Sequence, residues 1–437
     1  MSSDVDICNL ALARLGDEAN VVSINPPDQS VQAGYCARFY PMTLSSVLDD
    51  HNWGFNSKIV TLALANNPTS LWSYCYELPV AERVQGAITG AGIGSGIGSA
   101  NEIAVQHVLE TDGYHEEAAG RTSKRINSRV RLKEYYDKVD WKNMTPDQLW
   151  FIDLKIGNIC NLKCRICGSW SSSKWAQEEI DYLPDVNRKD HLAYTYLKDG
   201  AWPRENALFW DNLKELLPNI KYFEFTGGEP FLIQQQFDLL QYAVDNGYSK
   251  DIEIHYNTNG TVYPAEYVSL WDEFKHVEIA FSIDNIGKRF EYERYGAKWD
   301  AVEGNIAKFN KLRSMKLSTQ VCLTVNVQNA YYLPELCTWI ESQTFDHVYF
   351  NMLHDPKHMC ITNMTPVAQQ LVINRLTTEE FNPIYKMEIM RIVQFIQNGS
   401  GDDGKVFLQK MQKADEYRNQ SFIDTHYFIA IAMGYEG

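Results

Sequence analysis

Three cysteines lie within eight residues of one another: Cys160, Cys164 and Cys167. The chain has nine cysteines among 437 residues, so this local grouping indicates a shared ligand. Clustered thiolates suit a soft metal or an iron–sulfur cluster. A structural zinc site needs a fourth ligand close by, and the next His or Cys downstream is His191. A disulfide between two of these cysteines would leave the third one unpaired. Three thiolates on a cluster that normally takes four ligands would leave one iron open, and we expect the chemistry there.

A strand-like run precedes the cysteine group. Over residues 150–156, apolar residues alternate with others at the two-residue period of a half-buried strand. Five more such runs follow, at 222–225, 252–256, 277–282, 320–327 and 347–353. Helical patterns separate the later runs, at 234–244, 264–274, 302–315 and 333–342. Alternating strands and helices predict a parallel sheet, with functional side chains at the carboxyl ends of the strands.

The second predicted strand ends in the run Gly227-Gly228-Glu229-Pro230. Two adjacent glycines allow the backbone to approach a ligand closely, and the Glu229 carboxylate can accept an ammonium group. Taken alone, the run also fits a tight turn. The run follows a strand, roughly sixty residues after the cysteine group, and both interpretations stay open at this point.

The next two strands also end in polar residues. Asn257 and Asn259 follow the third strand, as either a plain turn or a contact to a cofactor. Ser282 and Asp284 end the fourth, with Arg294 twelve residues beyond the serine. An arginine fork suits a carboxylate ligand. The alternative for this arginine is a solvated ion pair with a glutamate three residues earlier on a helix.

The cysteine spacing C-x3-C-x2-C after a strand, together with the Gly-Gly-Glu-Pro run, resembles the radical S-adenosylmethionine (SAM) enzymes. Over residues 105–437 the chain looks like the SPASM/twitch branch of that family. The resemblance implies that Cys160, Cys164 and Cys167 bind a [4Fe–4S] cluster. It also implies SAM-binding roles for Ile166, Gly227, Gly228, Glu229, Pro230, Asn257, Asn259, Ser282, Asp284, Arg294 and Asn326. In this assignment Ile166 packs on adenine and Asn326 contacts the ribose.

The same resemblance sets the expected fold and reaction. The fold would be α/β, a partial (β/α)6 TIM-like barrel with a helical C-terminal extension, preceded by a small α-helical N-terminal unit. The enzyme would cleave SAM reductively to a 5′-deoxyadenosyl radical that abstracts hydrogen from substrate, using an electron donor such as flavodoxin or ferredoxin. The substrate class stays open between a peptide or protein and a small molecule such as a deazapurine precursor. No catalytic side chain stands out.

Outside the cysteine group, the remaining thiols are scattered. Cys322, Cys337 and Cys360 lie far apart, so we predict a single cluster. The candidate for a further metal ligand is Cys360, which lies close to His354 and His358 in the sequence; the alternative is a buried or unused thiol.

Composition limits the class of partner. The formal net charge of −16 and pI near 5.1 argue against a general nucleic-acid or acidic-membrane surface. No apolar run reaches the roughly 18 residues that span a bilayer, and the N-terminus lacks a signal-peptide pattern. Cysteines without a regular framework suit a reducing compartment. We expect a cytoplasmic protein, in the host cytoplasm if it is phage-encoded.

The composition of the chain changes near residue 100, from a glycine-rich stretch to a charged one. We predict a helical unit at 1–85, a glycine-rich linker or junction at 86–102, a charged helical lead-in at 103–148, a radical SAM core at 149–382 and a helical extension at 383–437. Six glycines occupy fourteen positions in 86–99, which disfavours a helix. A phosphate-binding loop is the alternative there, but no helix that opens with Lys-Ser or Lys-Thr follows.

The first 80 residues carry a second resemblance, on the runs 7–16, 36–41, 53–55 and 74–79. They look like the start of podovirus-type head–tail adaptor (tail tubular protein A-like) proteins. This implies phage connector proteins as partners, with Cys8, Cys36 and Cys75 as core thiols. Two alternatives to the enzyme follow: a phage head–tail connector with a non-essential C-terminal passenger, or a fusion of two phage genes.

Overall fold

The computed structural model describes residues 124–138, 149–184, 188–399, 401 and 404–435, with scattered positions among residues 5–37 and two short strands after them. The chain divides into two compact units. The smaller comprises Met1–Pro68, Ser73–Ile88 and Ala104–Asn127, and the larger contains Ser128–Gly437. The glycine-rich segment at 86–102 and most of the lead-in lie outside the described residues. The five predicted segments therefore stay predictions.

The smaller unit contains an antiparallel strand pair, β1 (Ala63–Ala65) and β2 (Cys75–Glu77). The unit predicted as helical thus also contains two short strands. Near its start, the Asn9 side chain makes two hydrogen bonds with the backbone of Val21, at 2.9 and 2.7 Å. Cys8 is buried, as predicted for a core thiol, and Cys36 is half-buried.

A six-stranded parallel sheet forms the centre of the larger unit. Its strands are β3 (Phe151–Lys155), β5 (Tyr222–Thr226), β6 (Glu253–Thr258), β7 (His276–Ser282), β9 (Leu317–Val325) and β10 (His347–Met352). They lie side by side in chain order, β3-β5-β6-β7-β9-β10. All six predicted strands are confirmed, and so is the α/β class with a partial TIM-like barrel. The short strands β4 (Lys163–Cys164) and β8 (Arg294–Tyr295) form a separate antiparallel pair.

Helices connect and extend the sheet. Before and after β3 lie α1 (Lys124–Arg131), α2 (Lys133–Tyr136), α3 (Ser173–Asp181), α4 (Leu192–Asp199), α5 (Trp202–Glu205) and α6 (Ala207–Leu216). Between the later strands lie α7 (Gln234–Asp245), α8 (Gly287–Glu293), α9 (Trp299–Asn310) and α10 (Leu333–Ser342). The C-terminal extension contains α11 (Pro366–Thr378), α12 (Lys386–Gln397), α13 (Lys405–Arg418), α14 (Phe422–Thr425) and α15 (Tyr427–Ala432).

One of the predicted helices is a short 3₁₀ helix in the structure. The stretch 264–274 holds only the 3₁₀ segment Val268–Glu273. Trp271 within it is buried against Tyr256 and Phe309, at ring-centroid distances of 5.8 and 6.1 Å, so tertiary packing decides its conformation. In the part of the chain that the structure describes, no helix combines the length and apolar character of a membrane span.

The two faces of the sheet differ in polarity. Phe225, Tyr256 and Ile279 are paired neighbours on β5, β6 and β7, and all three are fully buried. One residue earlier on each strand, Glu224, His255 and Glu278 form a polar row in the same register. Because side chains alternate along a strand, one face packs into the core and the other forms a polar inner face.

Candidate iron–sulfur and cofactor site

The cysteine loop follows β3 and is held by the small strand pair. Backbone pairing sets Lys163 opposite Tyr295 and Cys164 opposite Arg294. The Arg294 Nη1 atom lies 3.7 Å from Cys164 Sγ. Residues 130 positions apart in sequence thus meet, and a guanidinium stands beside one of the three thiols.

Gly227 and Gly228 press against the backbone of the cysteine loop. The Gly228 amide donates to Gly157 O at 3.2 Å, and the Glu229 amide donates to Ile159 O at 2.8 Å. A Cβ on Gly228 would lie 2.1 Å from Ile159 O, and Gly227 has φ +120°. The expected close approach is therefore present, but the neighbour in the structure is the cysteine loop itself. These glycines fix the distance between two loops of the site.

Glu229 links two strand-end loops. Its carboxylate accepts hydrogen bonds from Thr258 Oγ1 and the backbone amide of Asn259, both at 2.8 Å, and from the backbone amide of Phe231 at 3.2 Å. The side chain is buried, which raises its pKa to about 7, and these donors offset part of the rise. Pro230, also buried, begins the 3₁₀ turn Pro230–Leu232.

The two asparagines after β6 differ in what they contact. The side-chain amide nitrogen of Asn259, Nδ2, lies 3.8 Å from Cys160 Sγ and 3.1 Å from Asn161 Oδ1. Asn257 is half-buried, and its amide nitrogen lies 3.4 Å from Glu224 Oε1 on the polar inner face. Asn259 is thus brought to the cysteine loop, while Asn257 is directed towards β5.

Arg294 is a buried partner of Asp284. The Arg294 Nη2 atom lies 2.5 Å from Asp284 Oδ2, and Asp284 Oδ1 accepts the Thr324 amide at 2.9 Å. The arginine and aspartate side chains are 8% and 2% exposed, so the alternative of a solvated pair with Glu291 is wrong. Arg294 Nε is buried without a hydrogen-bond partner, which leaves a donor for a bound group.

The remaining predicted contacts occupy the same edge of the sheet. Ser282 ends β7 opposite Cys322 and is half-buried. Ile166 lies between the second and third cysteines and packs partly buried on the main core. The side-chain amide of Asn326 makes hydrogen bonds within its own turn. Its Nδ2 donates to Thr324 O at 3.0 Å, and its Oδ1 accepts a hydrogen bond from the backbone amide of Gln328 at 2.9 Å.

The three thiols lie close enough to affect one another's ionisation. Burial raises the pKa of Cys164 to about 12, and Arg294 offsets part of this rise. Burial also raises the pKa values of Cys160 and Cys167, and for Cys160 the two neighbouring cysteines add to the effect. Thiolates bind metal, so loading the site with iron must release protons.

Three thiols with hydrogen-bond donors beside two of them fit an iron–sulfur cluster. Among the described residues, no three His, Cys, Asp or Glu side chains converge on one ion. A cubane binds each cysteine through a different iron atom, so its thiolates stand apart around it. Donors also face the sulfurs, since the Leu162 amide lies 3.5 Å from Cys160 Sγ and Arg294 approaches Cys164. Such hydrogen bonds to sulfur tune cluster potentials.

Residues 154–339 match the model of the Radical SAM superfamily. This segment is less than half of the chain. Members of this superfamily use a [4Fe–4S] cluster and SAM. The three cysteines, the Gly-Gly-Glu-Pro run and Arg294 all lie inside the matched radical SAM segment.

Several solved structures resemble the chain. anSMEcpe with bound AdoMet and Cp18Cys peptide is 16% identical, with a TM-score of 0.36 over 56% of this chain and 61% of that one. Streptococcus suis SuiB bound to S-adenosylmethionine is 14% identical, with a TM-score of 0.33 over 67% of this chain and 59% of that one. TYW1 with a lysine-pyruvate adduct bound is 12% identical, with a TM-score of 0.31 over 67% and 91%. The chain thus spans less than two thirds of the first two proteins. No curated protein matches it.

Sequence reasoning missed the partners that hold the cysteine loop in place. Arg165, between the second and third cysteines, is buried and pairs with Asp415, 250 residues further on. The arginine was visible in the motif, but a partner at that separation leaves no local signal.

Replacing Asp284 by asparagine is expected to lower the free energy of unfolding of the iron-free chain by about 3 kcal/mol, because Arg294 is left buried without a counter-charge. Urea unfolding followed by circular dichroism measures this. Glu388→Gln is the matched control, since it removes the same charge from a pair with Arg391 that is 31% and 50% exposed. Its expected cost is about 0.5 kcal/mol or less. Equal costs for the two variants would contradict the assigned burial.

Proposed function

We propose that this protein is a radical SAM enzyme that cleaves SAM reductively and abstracts hydrogen from its substrate. The observation that carries the proposal is the meeting of three strand-end loops: the cysteine loop, the Gly227–Gly228 turn packed on it, and Asn259 with its amide nitrogen 3.8 Å from Cys160 Sγ. When bound, the [4Fe–4S] cluster with SAM supplies the electron and the 5′-deoxyadenosyl radical. An electron donor such as flavodoxin or ferredoxin would reduce the cluster.

In this proposal the chain binds and orients SAM. Glu229 Oε2 accepts one hydrogen bond and retains acceptor capacity, with which it would receive the ammonium group of SAM. Arg294, with its free Nε donor, would hold the carboxylate together with Ser282. Gly227, Gly228, Pro230 and Asp284 would fix these groups in place. Ile166 would pack on adenine, and Asn257, Asn259 and Asn326 would complete the polar contacts.

For the substrate we propose a peptide or protein, which rests on the sequence resemblance to the SPASM/twitch branch. The polar inner face offers a place for it to bind. Asp153 and Lys155 on β3 are exposed there, and the row continues through Glu224, His255 and Glu278. A small polar molecule is the alternative occupant. We propose the cytoplasm as the site of action. The connector and gene-fusion alternatives concern mainly the first 100 residues, most of which lie outside the described residues.

The deciding experiment is anaerobic reconstitution with iron and sulfide, followed by dithionite and SAM. We expect brown protein with about four iron atoms per chain and release of 5′-deoxyadenosine, measured by chromatography. Folded protein that takes up no iron and releases no nucleoside would overturn the proposal. Incorporation of a tagged chain into phage particles, without SAM cleavage, would favour the connector.

A further inference from the structure

Helix α13 of the C-terminal extension contacts the cysteine loop on both sides of Cys164. Asp415 and Arg418 are three residues apart and therefore share one face of the helix. Asp415 pairs with Arg165, and Arg418 donates to the carbonyl of Lys163 at 3.0 Å. The residues immediately before and after the second cysteine are thus held by residues that lie 255 and 250 positions further along the chain.

Arg165 has a partner at each of its guanidinium nitrogens. Its Nε donates to Tyr292 O at 3.2 Å, and its Cζ lies 3.7 Å from the centre of the Tyr292 ring. Nη2 contacts Asp415 and also Gln420 Oε1, the latter at 2.9 Å, while Nη1 faces Met411 Sδ at 3.6 Å. The Arg165 side chain is only 1% exposed. A charge this deeply buried needs such partners, so its position is tightly determined.

Asp415 gathers donors from three parts of the chain. Besides Arg165, it accepts hydrogen bonds from the Tyr292 hydroxyl at 2.8 Å, the Phe422 amide at 2.8 Å and the Tyr435 hydroxyl at 2.7 Å. Tyr292 lies two residues before Arg294, the residue beside Cys164. One carboxylate therefore ties the cysteine loop and the Arg294 segment to the C-terminal end of the chain.

Arg418 provides the second attachment. Its guanidinium forms a fork with Glu178 on α3, at 2.9–3.2 Å, and both side chains are at most 1% exposed. Glu178 also pairs with Lys163. Because α3 directly follows the cysteine loop, Arg418 fixes both the start of β4 and the helix after the loop. Arginine suits this role since its planar fork matches a carboxylate.

We propose that Asp415 and Arg418 are positioning residues for the cluster: from one turn of α13 they hold Lys163 and Arg165, and so set Cys164 against Arg294. The part that concerns iron rests on the proposed function, whereas the placement of Cys164 does not. The C-terminal extension is then required for a stable cluster site, in addition to covering the core.

The test compares Asp415→Asn and Arg418→Gln with the wild type in the full chain. In iron-free protein, we expect Cys164 to be alkylated by iodoacetamide about tenfold faster in each variant, relative to the buried Cys337 of the same molecule, because loss of a charged hydrogen bond favours local opening. After reconstitution, the same variants should lose iron to a chelator about tenfold faster. Glu416→Gln and Lys410→Gln, exposed positions on the same helix, are the matched charge controls and should behave as wild type.

The outcomes separate the two proposals. Variants that fold and match the controls in both rates would overturn the positioning role. Faster alkylation of Cys164 in a protein whose wild type binds no iron would support the placement of the thiol and overturn the proposed function. Should Asp415→Asn fail to fold, Gln420→Ala removes a single acceptor of Arg165. It should shift both rates in the same direction by a smaller factor, and unchanged rates would again contradict the role.

Discussion

The triple variant Cys160→Ala, Cys164→Ala, Cys167→Ala is expected to bind no iron and to release no 5′-deoxyadenosine, while it keeps the fold of the wild type. The cluster depends on all three thiolates as its protein ligands. The loop itself is held by backbone pairing of β4 with β8 and by the buried Arg165–Asp415 pair, so removal of sulfur atoms leaves its main attachments intact.

Iron content, nucleoside release and far-ultraviolet circular dichroism measure this result. The matched control is Cys337→Ala with Cys360→Ala, which removes two buried thiols from other elements and should keep both iron and activity. Iron retained by the triple variant would show that the cluster binds elsewhere. About eight irons in the wild type would contradict the prediction of a single cluster.

The regular part of the fold was predictable because each strand carries its own signal. The six strands of the sheet read as separate alternating or apolar runs, and their carboxyl ends bring the predicted polar residues to one edge. The observed elements differ from the predicted ones where tertiary packing determines the conformation. Within 264–274, the structure has only the 3₁₀ segment Val268–Glu273, which contains the buried Trp271. Local periodicity does not encode that preference.

The supports of the site were not predictable in the same way. The pair β4–β8 has two residues on each side and depends on a contact between Cys164 and Arg294, 130 positions apart. The pairing of Arg165 with Asp415 joins an internal loop to the last helices. A single sequence shows such residues as ordinary charged positions, because their partners are set only by the folded arrangement. The chemistry-bearing residues were visible, and the residues that hold them were not.

Gly228→Ala is expected to prevent stable cluster binding, although it adds one methyl group. The new Cβ would lie 2.1 Å from Ile159 O and 2.8 Å from the carbonyl carbon of Asn158, and both neighbours are backbone atoms that no rotamer change can move. The two loops would have to separate, which breaks the amide contacts of Gly228 and Glu229 with the cysteine loop. Cys160 and the Glu229 carboxylate would then no longer keep their spacing, so iron retention and SAM cleavage should fall below detection.

Gly304→Ala separates this effect from the general consequence of replacing a glycine. Gly304 is exposed in the middle of α9, and its added Cβ would meet no atom within 4 Å. Alanine there should raise the free energy of unfolding by about 0.5–1 kcal/mol, because it restricts the unfolded chain and favours the helix. Iron content and 5′-deoxyadenosine release should stay at wild-type levels in that control. If Gly228→Ala also kept both, the close packing of the two loops would not be needed for the cluster.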